Sequence, residues 1–96
     1  MPSSPRTIVV TGSSSGIGLD IATAFHARGD AVLLNGRDAA RLARAAASFP
    51  AGDRIAFVAG NIADPTTGEA LVREAVGRFG GIDVLVNNAG TFAPKP

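Results

Sequence analysis

The chain of 96 residues contains no cysteine, no tryptophan and no tyrosine, and it has one histidine, His26, and one lysine, Lys95. Without cysteine there is no disulfide, no thiolate nucleophile and no Cys-ligated metal site. A lone histidine excludes a site built from several imidazoles, so no metal centre is expected. Charge of one sign is also lacking. Nine Lys and Arg stand against eight Asp and Glu, for a net charge of +1. That balance offers no electrostatic footprint for nucleic acid or for an anionic membrane surface. Long apolar runs are absent as well. Stretches such as Ala31–Leu34 fall far below the roughly 18 residues of a membrane-spanning helix. The start, Met1–Arg6, has no apolar segment of the secretory kind. Neither a nucleic-acid partner nor a membrane is expected, and a cysteine-free chain is compatible with the cytoplasm.

What is present is the composition of a folded domain. Hydrophobic residues make up 46% and charged residues 18%, which is globular rather than disordered. The length suits one unit over residues 1–96 and not two. Within it, two hydrophobic periods alternate. Thr7–Thr11 is a β-branched run ending at Gly12, the pattern of a buried strand. Ile17, Ile21 and Phe25 then recur at helical spacing, up to Gly29. Ala31–Asn35 reads as a second strand, followed by a helix that Asp38 caps and that places Leu42, Ala45, Ala46 and Phe49 on one face. Pro50 and Gly52 end that helix, and Arg54–Ala59 is the third strand. Asp64-Pro65 begins a third helix, with an acid as N-cap and Pro where its missing N–H costs nothing. That helix is expected to bury Val72, Ala75, Val76 and Phe79 and to end at Gly80-Gly81. Ile82–Asn87 is the fourth strand, and residues 91–96 form a Pro-containing irregular tail.

The order β-α-β-α-β-α-β implies parallel strands joined by right-handed crossovers. The expected fold class is α/β, a partial Rossmann (doubly wound) sheet with strand order 3-2-1-4. At its first strand-to-helix junction lies Thr11-Gly12-Ser13-Ser14-Ser15-Gly16-Ile17-Gly18. Strand, glycine-rich turn and helix start form an arrangement that binds a pyrophosphate. Gly12 permits the turn, Gly16 lets the main chain approach a ligand, and Gly18 lets the helix pack closely. The first-turn N–H groups face the phosphates, and Ser13, Ser14 and Ser15 add hydroxyls at the same place. No Gly-Lys-Ser/Thr follows, which argues against ATP or GTP hydrolysis.

The tip of the second strand, Asn35-Gly36-Arg37-Asp38, would meet the adenosine ribose. An acid there favours NAD, and an Arg favours the 2′-phosphate of NADP. Gly36 occupies the place of the acid and Arg37 follows it, so NADP(H) is the preferred cofactor and NAD the alternative.

These residues carry a resemblance. Thr11–Gly18 resembles the cofactor motif of the short-chain dehydrogenase/reductase family, and Asn87-Asn88-Ala89-Gly90 matches its Asn-Asn-Ala-Gly motif. The resemblance covers essentially the whole chain from Thr7 to Gly90. The resemblance implies that Thr11 ties the loop to the second motif. It also implies that Asn88 lies beside the nicotinamide-side ribose, and that Ala89 and Gly90 let the cofactor pass close to the backbone. The family usually has an Asp after the third strand, bonded to the adenine amino group. Here the pair is Asn61-Ile62, whose amide both accepts and donates.

The family's acid–base residues, a Ser with Tyr-x-x-x-Lys, lie beyond this second motif. The chain has no Tyr, so no catalytic residue is assigned and the chain alone is expected to be inactive. His26 lies far along the first helix and is expected at the surface. The fourth strand would present an apolar edge through Ile82, Val84, Leu85 and Val86, open to self-association or to a complementing chain. The reading is the cofactor-binding portion of an NAD(P)-dependent oxidoreductase that moves a hydride to or from a carbonyl or secondary alcohol. A non-catalytic dinucleotide-binding module, or an inert fragment, is the alternative.

Overall fold

A computed structural model of the chain describes residues 5–50 and 54–88. Seven elements follow one another: β1 (Thr7–Val10), α1 (Gly16–Ala27), β2 (Ala31–Gly36), α2 (Ala39–Ala47), β3 (Ile55–Ala59), α3 (Pro65–Phe79) and β4 (Val84–Val86). The strands form one parallel sheet of order β3-β2-β1-β4. Fold class, strand order and parallel pairing are as expected from the sequence. The tail at 91–96 lies outside the described residues.

The sheet separates two apolar layers, and side-chain alternation assigns residues to each. Ile8, Val10, Val32 and Leu34 face one way, against Ala22 of α1 and Leu42, Ala45 and Phe49 on the α2 side. Val9, Leu33 and Ala56 face the other way, against Leu71 and Ala75 of α3. Every residue of β1 and β2 is buried. That explains their unbroken apolar runs, since a central parallel strand is covered on both faces.

Two of the three helices begin at an acid. Asp38 accepts the Arg41 N–H at 3.1 Å, and Asp64 accepts the Thr66 N–H at 3.0 Å. These backbone hydrogen bonds hold both carboxyls below the usual Asp range, and the Thr66 hydroxyl adds to the effect at Asp64. At its far end α3 closes on Gly80 at φ +89°, a left-handed position that favours glycine.

Three burial expectations are corrected. On α1 the inward stripe is Gly18, Ala22 and His26, while Ile17 is 72% exposed. The smallest residues set the stripe because they let the helix lie close to the loop at its head and to the sheet along its length. His26 follows them inward: it is 4% exposed, and its ring meets Phe49 edge-on with centroids 5.0 Å apart. On α3 the buried residues are Thr67, Leu71 and Ala75, whereas Val72 and Val76 are 51% and 53% exposed. Thr67 docks against Gly60, where an added Cβ would come within 3.0 Å of Thr67 Cγ2. That contact fixes the rotation of α3 and turns the two valines outward.

β4 is shorter than the expected Ile82–Asn87. Its start is nevertheless pinned, because Asp83 and Thr7 exchange two hydrogen bonds of 2.7 and 2.9 Å.

Candidate functional site

The carboxyl ends of all four strands point to one rim, and the order changes direction between β1 and β4. In open α/β sheets ligands bind outside such a switch point. A cleft of about 390 Å³ lies there. Gly12, Ser14 and Ser15 supply one wall, Gly36 and Arg37 the β2 tip, and Asn61 and Ile62 the far side beyond β3. Asn88 closes it near β4.

The loop after β1 is built for this position. Gly12 and Gly16 have φ of +62° and +63°, which side chains rarely adopt. A Cβ on Gly16 would meet nothing within 4 Å, so the loop is open on that side. Gly18 is constrained differently. A Cβ there would run into the Gly12 carbonyl oxygen and lie 2.7 Å from Asn88 Nδ2. Its role is to let the head of α1 approach the loop itself, more than to pack the helix on the sheet.

The start of α1 differs from the other two helix starts. Its N-cap, Ser15, makes no side-chain capping bond, whereas the side chains of Asp38 and Asp64 cap the other two. The first-turn N–H groups of a helix seek an acceptor and carry the positive end of its dipole. Here that end is left to whatever occupies the cleft.

Ser13 departs from its expected role. It is fully buried, its hydroxyl donates to the Val10 carbonyl at 2.7 Å, and its Oγ accepts the Asn35 N–H at 3.0 Å. Its own N–H donates to the Asn35 carbonyl at 2.8 Å. The side chain ties the loop to β2 and does not face the cleft, because the turn at Gly12 points it back under β1. Ser14 and Ser15 do line the cleft.

Asn35 was not singled out by the sequence, yet it organises this rim. Besides its bonds to Ser13, its Nδ2 donates to the carbonyls of Val58 and Gly60 at 3.1 and 3.2 Å. One buried residue thus joins the ends of β1, β2 and β3, its main chain bonding Ser13 and its side-chain amide the end of β3. The signal was there: a polar residue ending the apolar run Ala31–Leu34 must find partners when buried.

At the β2 tip, Gly36 has little room for a side chain. A Cβ would lie 3.2 Å from Ser14 Oγ and 3.5 Å from Leu42 Cδ2. Arg37 is exposed, and no ion pair joins it to another described residue. Asn61 bends the chain after β3: its Oδ1 accepts the Ala63 N–H at 2.9 Å.

Thr11 and Asn88 join the loop to β4. Thr11 Oγ1 accepts the Asn88 N–H at 2.9 Å, and Asn88 Nδ2 donates to the Gly12 carbonyl at 3.1 Å. Ala89 and Gly90 lie outside the described residues. Among the described residues no group of three or more His, Cys, Asp or Glu could hold a metal ion, and no helix is long and apolar enough to cross a membrane.

The short chain dehydrogenase family matches residues 6–96. The 1-deoxy-11-beta-hydroxypentalenate dehydrogenase of Streptomyces arenae is 40% identical over 95 residues, covering 98% of this chain and 34% of that protein. The D-beta-hydroxybutyrate dehydrogenase of Cupriavidus necator is 42% identical over 86 residues, covering 88% of this chain and 33% of the relative. Among solved structures, L-sorbose reductase from Gluconobacter frateurii, complexed with NADPH and L-sorbose, superposes with a TM-score of 0.86 at 42% identity. That match covers 97% of this chain and 36% of the reductase. The chain spans about a third of the length of the proteins it matches.

Proposed function

The chain belongs to the short chain dehydrogenase family, and from that premise we propose that it is the nucleotide-binding portion of an NADP(H)-dependent oxidoreductase. The observation that carries this reading is the uncapped head of α1, set above a loop whose glycines take positive φ. The residues fit a dinucleotide. Main-chain N–H groups of Gly16, Ile17 and Gly18 face the pyrophosphate, and the hydroxyls of Ser14 and Ser15 stand beside them. Asn61 and Ile62 receive the base. Asn88 braces the Gly12 peptide and would lie on the nicotinamide side. When bound, the nicotinamide supplies or accepts the hydride exchanged with a carbonyl or secondary alcohol.

The preference for NADP(H) rests on the β2 tip. An acid in place of Gly36 would press on Ser14, and Arg37 offers a guanidinium with no partner among the described residues. The NADPH seen with L-sorbose reductase is consistent with this choice. The chain contains no tyrosine, so the phenol that family members use for proton transfer has to come from outside these 96 residues. We expect no turnover from the chain by itself.

β4 leaves a second feature unmet. Leu85 is 61% exposed on the same side of the sheet as the outward Val72 and Val76 of α3. In the isolated chain this edge would pair with a second copy or with polypeptide that completes the sheet.

The test is titration with NADPH and NADH, followed by nicotinamide fluorescence and by protein melting. A charge-assisted bond to the 2′-phosphate contributes about 1.5–3 kcal/mol, so Arg37→Ala should weaken NADPH by about tenfold or more and leave NADH unchanged. Equal affinity for both cofactors in the unaltered protein would remove the assignment of Arg37.

A further inference from the structure

The sheet order determines which part of a dinucleotide meets Asn61. Phosphates belong at the head of α1, above β1, and the ribose at the tip of β2. The next strand outward is β3, about 4.8 Å further on. The base therefore falls at the turn after β3, where Asn61 and Ile62 line the cleft. Asn61 is held there by its own turn: Oδ1 accepts the Ala63 N–H, and its main-chain carbonyl accepts the Asp64 N–H, both at 2.9 Å.

Resting on the dinucleotide reading above, we propose that Asn61 makes the base subsite indifferent to the six-substituent of the purine, so that adenine and hypoxanthine dinucleotides bind alike. A carboxylate at this position could only accept hydrogen bonds. It would welcome the six-amino group of adenine and oppose the six-oxygen of hypoxanthine. An amide does both. After the bond to Ala63, Oδ1 keeps a second lone pair and Nδ2 keeps two donors. Adenine presents an amino donor beside the N1 acceptor, and hypoxanthine presents an oxygen acceptor beside the N1–H donor. Either pair of groups finds its complement on the same side chain. Among the described residues no other charged group imposes a choice, because there Arg37 is the one ionised residue lining the cleft and it stands at the β2 tip.

The experiment compares NADPH with its hypoxanthine analogue, deamino-NADPH, by fluorescence titration and by melting shift. It is run on the protein and on Asn61→Asp. The new carboxylate accepts the Ala63 N–H as the amide does, so the turn survives the change. The unaltered protein should bind the two within about threefold, and Asn61→Asp should favour adenine by about tenfold or more. A tenfold preference for either base in the unaltered protein overturns the proposal, as does a ratio that Asn61→Asp leaves unchanged. Binding of neither compound by the folded protein would overturn the cofactor reading as well. Binding of NADPH with strong selectivity would overturn the base proposal alone.

Discussion

Replacing Gly18 by Ala sets two effects of opposite sign against each other. Alanine is the better helix former, and the exchange inside a helix is worth about 0.8–1 kcal/mol. The added methyl, however, would have three neighbours inside 3.0 Å: the Gly12 carbonyl oxygen and carbon, and Asn88 Nδ2. Two of these are backbone atoms that cannot swing aside. Overpacking of this kind costs about 1–3 kcal/mol. Displacing Asn88 also breaks its bond to the Gly12 carbonyl, a further loss of about 1 kcal/mol. Steric cost therefore outweighs propensity, and Gly18→Ala should lose about 1–3 kcal/mol net. For a domain of this size that lowers Tm by about 4–8 °C per kcal/mol. Gly77→Ala is the matched control. It too lies within a helix, α3, but an added Cβ there would meet nothing within 4 Å. It should gain about 0.5–1 kcal/mol. Thermal and urea unfolding followed by circular dichroism would read both. If Gly18→Ala were as stable as the unaltered chain, the loop and helix are not in the contact described, and the cleft geometry is wrong.

Ser13→Ala separates a structural serine from a ligand-binding one. It strands the buried Asn35 N–H and should destabilise by about 1–3 kcal/mol, while NADPH affinity, measured well below the melting temperature, stays the same. A loss of affinity without a loss of stability would return Ser13 to the phosphate site. Leu85→Lys places a charge on the open β4 edge, where lysine discourages strand pairing. Sedimentation should find self-association in the unaltered chain and its reduction in the variant; a monomer in both would contradict the role given to that edge.

The sequence exposed the architecture because its local signals agreed with one another. Asp38 and Asp64-Pro65 marked two helix starts, Gly80 marked an end, and the apolar runs of β1 and β2 could only belong to covered strands. Helix rotation was less legible. Along α3, residues 72, 75, 76 and 79 make an apolar face by spacing, but Thr67 on Gly60 decides which side turns inward. That contact joins separate elements, and no periodicity records it. His26 was misplaced for the same reason, since small residues preceding it draw α1 towards the sheet. Within the site, the glycines and Arg37 were readable as backbone and charge requirements. The inward turn of Ser13 and the threefold tie of Asn35 depend on where β2 and β3 end in space, and they emerged only with the fold.

The proposed function turns on anion capture by the amides at the head of α1. The direct measurement is a proton–nitrogen correlation spectrum of the 15N-labelled protein during titration with NADPH. The largest saturable shifts should fall on the amides of Gly16, Ile17 and Gly18, with smaller ones at Asn61 and Ile62. A folded spectrum in which those amides stay still, whether or not shifts appear elsewhere, such as along Gly68–Arg73 of α3, would contradict it.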